Sequence, residues 1–353
     1  MATLIKGRTI LITGAGGSIG GELSRQVANL KPSRVILFDN SEYNLYSINQ
    51  ELSDSFPNVS RRVILGDIRD RVLLTHTFSQ ERPELVFHAA ALKHVPLAET
   101  NPCEAVSINV AGTRLVADTC AKFGVTAMVQ ISTDKAVNPT SVMGATKRLA
   151  ESYCQALDSS NLREKPRYTT VRFGNVLGSN GSVVPLFQQQ LAQGGPLTVT
   201  HPEITRYFMT VSEAVELVLQ ATTLAVAPRN SQSQQLYVLD MGEPIKILSL
   251  ARQVIRLSGL RPDVDVKIDY IGLRPGEKLS EELFHEGEGL TPTIYESIRV
   301  ADARPIDLPT MEESLNKLAE KAEAHEIQLT LELLQQLVPE YQREESLASE
   351  VRQ

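Results

Sequence analysis

The sequence predicts an α/β fold: a doubly wound parallel Rossmann sheet with a smaller C-terminal substrate-binding lobe. Three observations predict it. Short Val- and Ile-rich runs alternate with amphipathic stretches through the first half, a glycine-rich turn follows the first run, and the rhythm breaks after about residue 175. "RTILIT" (8–13), "RVILF" (34–38), "RVILG" (62–66), "ELVFHAA" (84–90), "AMVQIS" (127–132) and "YTTVRFG" (168–174) are continuous rather than alternating, as strands buried on both faces are. Between them, 17–29, 42–55, 102–123 and 142–157 carry helical periodicity. Repeated strand–helix units of this kind build parallel sheets through right-handed crossovers.

After residue 175, Gly and Pro punctuate "GSNGSVVPLF", "GGPLTV" and "GLRPGEK", and apolar runs become short. The chain therefore divides into a dinucleotide-binding domain (1–175), a substrate-binding lobe (176–305) from which some chain returns to the sheet, and a helical extension (306–353). The extension is rich in Glu, Lys and Leu, with Leu at 315, 318, 329, 331, 333, 334 and 337. That pattern makes one or two helices, packed on the body or used for assembly.

The bulk numbers exclude several classes. The 353 residues carry 42% hydrophobic and 22% charged side chains, the proportions of a soluble globular chain. A net charge of −7 argues against nucleic acid or an anionic membrane as partner, though not against an anionic small ligand in a local basic cluster. The cysteines, 103, 120 and 154, have no metal-type spacing, and no metal is expected; free thiols in a reducing compartment are. The longest apolar stretch, "AVELVLQATTLAVA" from Ala214, is 14 residues long and contains Glu216, too short to span a bilayer. The expectation is a cytoplasmic chain that inserts into no membrane.

"TGAGGSIGGE" places Gly14, Gly17 and Gly20 between a strand and a helix. The first permits the sharp turn, the second lets backbone approach a pyrophosphate, and the third lets helix and sheet pack closely, with the helix N-terminus facing phosphate. Ser18 and Ile19 open that helix. Ala89 and Ala90 follow the fourth strand and are placed in the same site. Asp39 ends the second strand 19 residues after Gly20, where a carboxylate binds the adenosine ribose and repels a 2′-phosphate, so NAD is favoured over NADP. A loop acid capping the next helix would look the same. Asp67 and Ile68, in "GDIRD", stand where an adenine is lined, although Asp67 equally suits a helix cap.

Taken with this turn, "AALKHVP", "STDKAVNPT", "GNVLGSNGSVVPLF", "TRYFMT" and "RPGEK" resemble the extended short-chain dehydrogenases, and more narrowly the bacterial UDP-N-acetylglucosamine 4,6-dehydratases of polysaccharide biosynthesis, over about residues 5–340. Soluble members of that family carry Tyr four residues before the helix lysine. Here Met143 precedes Lys147, as in large membrane-tethered members, so this chain is a short member or the catalytic part of a longer one.

The resemblance implies a redox-neutral dehydration. Asp134 protonates the leaving O6, Lys135 takes H5, Thr133 bonds O4, and Lys147 holds the nicotinamide ribose with help from Asn109. A thioether takes no proton, so the sequence assigns no residue to the O4 proton; an ionised Asp134 could take it and later hand it to O6. Arg206 and Arg274 become diphosphate partners. Glu277 binds the uridine ribose, Asn175 the diphosphate or acetamido group, and Lys93 the sugar. His88 is expected to line the cofactor cleft, and a homo-oligomer is expected. A UDP-sugar 4-epimerase and a non-catalytic NAD- or UDP-sugar-binding protein are the competing readings. Asp134 and Lys135 argue against both.

Overall fold

The computed structural model describes residues 1–160, 166–179, 181–227, 236–285, 287–302 and 307–343. Asn180, the expected boundary at 305–306 and the predicted extension beyond 343 lie outside the described residues. The six sequence-predicted strands form β1 (Thr9–Thr13), β2 (Arg34–Asp39), β3 (Ser60–Leu65), β4 (Leu85–His88), β5 (Ala127–Thr133) and β6 (Arg167–Phe173). Three later strands join them: β7 (Leu236–Leu239) parallel to β6, β8 (Leu290–Pro292), and β9 (Ile298–Ala301) antiparallel to both β7 and β8. The sheet order is β8-β9-β7-β6-β5-β4-β1-β2-β3.

β1 lies between β2 and β4, so successive crossovers diverge there and leave a crevice at the strand C-termini. α1 (Ser18–Asn29) starts at that crevice, buries Leu23 and Val27 on one side of the sheet, and brings Gly20 against the turn. α2 (Glu42–Ser55) is capped by Ser41, whose hydroxyl accepts from Asn44 N.

One expected buried strand is not buried. β3 is the sheet edge and pairs only with β2, which leaves Leu65 56% exposed. Its apolar run resembled a central strand because edge position is set by topology.

The 102–123 stretch is helical but not uniform. Pro102–Val106 leads into a π-helical turn, Ser107–Gly112, and then α3 (Thr113–Phe123). Such turns often mark functional positions, and this one presents Asn109. α4 (Val142–Ser160) carries the predicted helix lysine.

The lobe has its own core of Phe187, Leu197, Val199, Ile204, Ile247, Ala251 and Ile255. Two further helices, α5 (Leu308–Glu323) and α6 (Ile327–Leu337), pack on the body. Met311, Leu315, Leu318 and Leu334 share one core with Val106, Leu149 and Tyr153. Each such side chain contributes roughly 1.5–3 kcal/mol by leaving water. All three cysteines are free and buried.

A buried ionic ladder ties the sheet to α4. Arg172 on β6 is fully buried; its Nη2 donates to Glu151 Oε2 at 2.7 Å and its Nη1 to Glu288 Oε2 at 2.8 Å. Arg148 continues the ladder from Glu151 to Glu340 beyond α6.

Candidate active site

A cavity of about 640 Å³ runs along the C-terminal edge of the sheet into the lobe. One end is the glycine turn, lined by Gly14, Gly17, Ser18, Ile19, Gly20 and Ala89. Gly14 has φ +66°, and a Cβ at Gly20 would overlap Gly14 O, so backbone occupies the space that side chains would take. Asp39 stands at the same end, its Oδ2 accepting from Gly16 N and its Oδ1 from Ser41 N, each at 2.8 Å. It braces the turn, and the helix cap is Ser41, not Asp39. An open backbone cradle at a helix N-terminus beside a strand-end carboxylate fits the pyrophosphate and ribose of a dinucleotide.

Asp67, Ile68, His88 and Ala90 lie, like Asp39, off the cavity wall. Asp67 pairs with Arg69 at 2.8 Å, which holds its carboxyl below the usual range, and Ile68 is buried against Gly112. Ala90 is packed behind Gly14 instead of lining the cavity, whereas Ala91 lines it. His88, expected in the cleft, is buried behind it. Thr113 donates to Asn109 O at 2.7 Å and so accepts from His88 Nε2 at 2.9 Å; Thr13 therefore donates to Nδ1 at 2.7 Å.

Burial, and then the charge of Lys147, pushes His88 down to about 3 from 6.5. Below pH 6.5 the unfolded chain takes up a proton that folded His88 refuses. Its contribution to stability is complete above pH 6.5 and is lost as the pH falls toward about 3. Urea titrations should show about 2 kcal/mol lost between pH 6.5 and 5 from this residue. A His88→Gln variant should lack that component; an unchanged pH slope in the variant would contradict the assignment.

At the centre, the end of β5 and the 3-10 turn after it bring Thr133 and Lys135 to the cavity wall, while Asp134 is buried between them and does not line it. Thr133 Oγ1 donates to Asp134 Oδ1 at 2.8 Å. Lys135 Nζ donates to Asp134 Oδ1 at 3.0 Å and to Asn175 Oδ1 at 2.9 Å. Asn175, expected on substrate, lines the cavity and also holds Lys135. Asp134 Oδ2 is buried with no hydrogen-bond partner and lies near Gly174. Burial alone depresses the Lys135 ammonium, but Asp134 and Glu281 outweigh it and raise it above its ordinary value.

α4 begins beside this cluster because Gly144 allows it: a Cβ there would overlap Lys135 O. The helix brings Met143 and Lys147 to the cavity wall. Lys147 Nζ donates to Ile131 O at 2.6 Å, and burial lowers it to about 8. Asn109 makes no direct side-chain hydrogen bond to Lys147; it bonds Thr146, the residue before it. Its side chain bonds the backbone of Leu92 in both directions, at 2.8 and 3.0 Å, and donates to Thr146 Oγ1 at 3.0 Å, pinning the loop after β4 to α4.

The far end gathers Lys93, Arg206, Arg274 and Glu277 with Thr200, Ile204, Phe208 and Ile247. Arg206 is largely committed to protein: Nη1 donates to Thr205 O at 2.7 Å, Nη2 faces Glu277 at 3.4 Å and Nε faces Glu281 at 3.7 Å. Arg274 is exposed at the rim, its backbone N–H donating to Glu277 Oε2 at 3.0 Å. Sequence reasoning missed the apolar wall of Ile204 and Phe208, whose short segments carry no periodic signal, and of Ile247, which opens an amphipathic helix, Ile247–Leu257. It also missed Glu281, which lies three residues beyond the end of the "RPGEK" motif.

A dinucleotide cradle at the switch point, followed by a Thr-Asp-Lys cluster at the C-terminal end of a strand and a helix lysine, is the architecture of the extended short-chain dehydrogenases. Residues 10–303 match the family described as "Polysaccharide biosynthesis protein", and the chain belongs to that family. It is 50% identical over 292 residues to the capsular polysaccharide biosynthesis protein CapD of Staphylococcus aureus, covering 82% of this chain and 47% of the relative. It thus spans about half of that relative's length. It is 32% identical to an inverting UDP-N-acetylglucosamine 4,6-dehydratase of Campylobacter jejuni, over 91% of this chain and 90% of the relative. A UDP-glucose 4-epimerase of Rickettsia bellii is 34% identical over 80% of this chain and 79% of its own. Among solved structures, a dTDP-glucose 4,6-dehydratase from Streptomyces venezuelae with NAD bound shares the fold, with TM-score 0.65 and 22% identity, covering 78% of this chain and 87% of that one. Among the described residues no helix is long and apolar enough to cross a membrane.

Proposed function

We propose that the chain catalyses the NAD-dependent 4,6-dehydration of UDP-N-acetylglucosamine, or a close UDP-hexosamine, to the 4-keto-6-deoxy sugar. The observation that carries this reading is the Thr133–Asp134–Lys135 cluster opposite Met143. It supplies separate proton carriers where a Tyr-dependent oxidoreductase would need only one. Bound NAD supplies hydride storage, accepting the C4 hydride and returning it to C6. The glycine turn, Asp39 and Lys147 are the residues that would hold it. Arg274, Arg206, Glu277 and Lys93 serve the nucleotide and sugar.

Thr133 faces the cavity and donates to Asp134, so a proton leaving O4 can pass through its hydroxyl to the carboxylate. Lys135 takes H5, and Asp134 returns the stored proton by the same route to the departing O6. One carboxylate acts first as base and then as acid, and Met143 needs no proton. With a single acid–base face at C5, Lys135 returns H5 to the side it left, and configuration is retained. The cytoplasmic side of a membrane-tethered, homo-oligomeric assembly is the setting that suits such a substrate.

Incubation with UDP-N-acetylglucosamine followed by mass spectrometry and NMR tests the reading. The expected product has lost one water and has xylo configuration, with no reduced cofactor accumulating in proportion to it. An arabino product at the earliest times would overturn retention. An isomer of unchanged mass would establish the epimerase reading, which the Rickettsia relative favours but for which Lys135 has no task. Unchanged substrate would leave a binding protein.

A further inference from the structure

Glu281 lies behind Lys135, and neither the expected site nor the reaction described above uses it. Its carboxyl is 8% exposed as a residue; Oε1 is 3.7 Å from Lys135 Nζ and 3.7 Å from Arg206 Nε, and Oε2 is buried without a hydrogen-bond partner. It also lines a second cavity of about 190 Å³, on the walls of which stand Lys135, Thr140, Ser141 and Lys278. A water needs only about 10–15 Å³ and a few polar partners, so this cavity has room for several between Lys135 and the surface.

The proton inventory of the dehydration creates a need for such a group. Lys135 sits between two carboxylates and holds its proton firmly. It cannot take H5 as an ammonium. Asp134 cannot relieve it, because Asp134 receives the O4 proton and must keep it until O6 leaves. A second acceptor is required. Glu277 is bonded to Arg206, Thr200 and Arg274 N.

We propose that Glu281 is the acceptor through which Lys135 sheds its proton before acting at C5; the inference rests on the dehydratase reading. The protons balance. The Lys135 ammonium and the Glu281 carboxylate become an amine and a carboxylic acid. The amine takes H5 as the electron pair forms the C4–C5 enolate. The enolate expels O6, which leaves as water with the proton from Asp134. Lys135 returns H5 to C5 as the hydride reaches C6, and Glu281 then reprotonates Lys135. Glu281 touches no reacting atom; it acts through Lys135, directly after a small side-chain movement or through water in the side cavity. The charged groups facing the pair are Asp134, Arg206, Arg274, Glu277 and Lys278, with Lys93 and His94 across the loop after β4.

The experiment compares wild type, Glu281→Gln and Glu281→Asp as NAD-loaded proteins with UDP-N-acetylglucosamine, protiated and deuterated at C5. In Glu281→Gln, kcat should fall on the order of 10²-fold, as for a lost acid–base group, while KM stays within a few-fold. Cofactor reduction in a single turnover should persist and build up, since it precedes the blocked step. The C5 isotope effect on kcat should grow, and the rate should climb with pH more steeply than in wild type as Lys135 is deprotonated by solvent. Glu281→Asp should recover part of kcat. A purely structural role in bracing Arg206 would instead raise KM and leave the isotope effect and pH profile alone; that result, or a kcat within about twofold of wild type, overturns the proposal. Should Glu281→Gln fail to fold, the same readouts on Glu281→Asp decide it, unchanged values overturning it. Failure of the dehydratase reading is separate, because wild type itself would then release no water.

Discussion

Asp134→Asn is expected to lower turnover by roughly 10²–10⁴-fold, the loss that follows removal of a positioned acid–base group. The amide has the carboxylate's shape and fits the same buried site between Thr133, Lys135 and Gly174. The fold should therefore survive, and only proton capacity is removed. Because Asp134 reaches the cavity through Thr133, a Thr133→Val variant should share much of the defect, whereas direct contact between Asp134 and O4 would leave that variant nearly as active as wild type. Met143→Leu should cost far less than either, since it changes packing alone. Rates of product formation with all three variants make the comparison, and a Leu variant as inactive as Asp134→Asn would give Met143 a role that the proton scheme lacks.

The largest stability effect is expected from Arg172→Met. The guanidinium is fully buried between Glu151 and Glu288, and removing it leaves Glu288 buried without its ion-pair partner and Glu151 with only Arg148, at 3.4 Å. Breaking such a pair costs about 3–5 kcal/mol, far more than the pair itself stabilises relative to well-packed apolar residues. Urea unfolding at neutral pH should show that loss, and replacing Glu151 and Glu288 by Leu in the same chain should recover a good part of it. Glu151 lies one helical turn after Lys147, so the single variant should also weaken cofactor binding before it unfolds. A loss under about 1 kcal/mol would show that water or a shifted carboxylate repairs the gap.

Much of the sheet and its crevice was legible because both rest on local signals. Continuous apolar runs mark β1, β2, β4, β5 and β6, and three glycines mark the turn. β7, β8 and β9 were not legible as strands of the main sheet. They are three or four residues long, one ends in Pro292, and their place depends on partners far off in sequence. At the active site the residue types were legible but their depth was not. The strand ends at Thr133 and Asp134–Ala136 turn as a short 3-10 helix, so no strand alternation tells Asp134, which is buried, from Thr133 and Lys135, which line the cavity. Asn175 lines the cavity as expected of a substrate ligand, but nothing local reveals that it also holds Lys135. The same holds for Asn109, whose partners Leu92 and Thr146 lie 17 and 37 residues away.

The contacts that α5, α6 and the turn after them make with α4 have a consequence for synthesis on the ribosome. Arg148 pairs with Glu340 across 192 residues, and Gln342 N donates to Pro139 O at 2.9 Å, just ahead of the helix that carries Met143 and Lys147. A nascent chain stalled before residue 311 has the glycine turn, all nine strands and the Thr-Asp-Lys cluster. It still shows water the apolar flank formed by Val106, Leu149 and Tyr153. Non-local contacts of this span are late and slow to form. The apolar flank therefore stays uncovered until α5 and α6 have emerged, and the last contact on the segment leading into α4 can form only after residue 342 has left the exit tunnel.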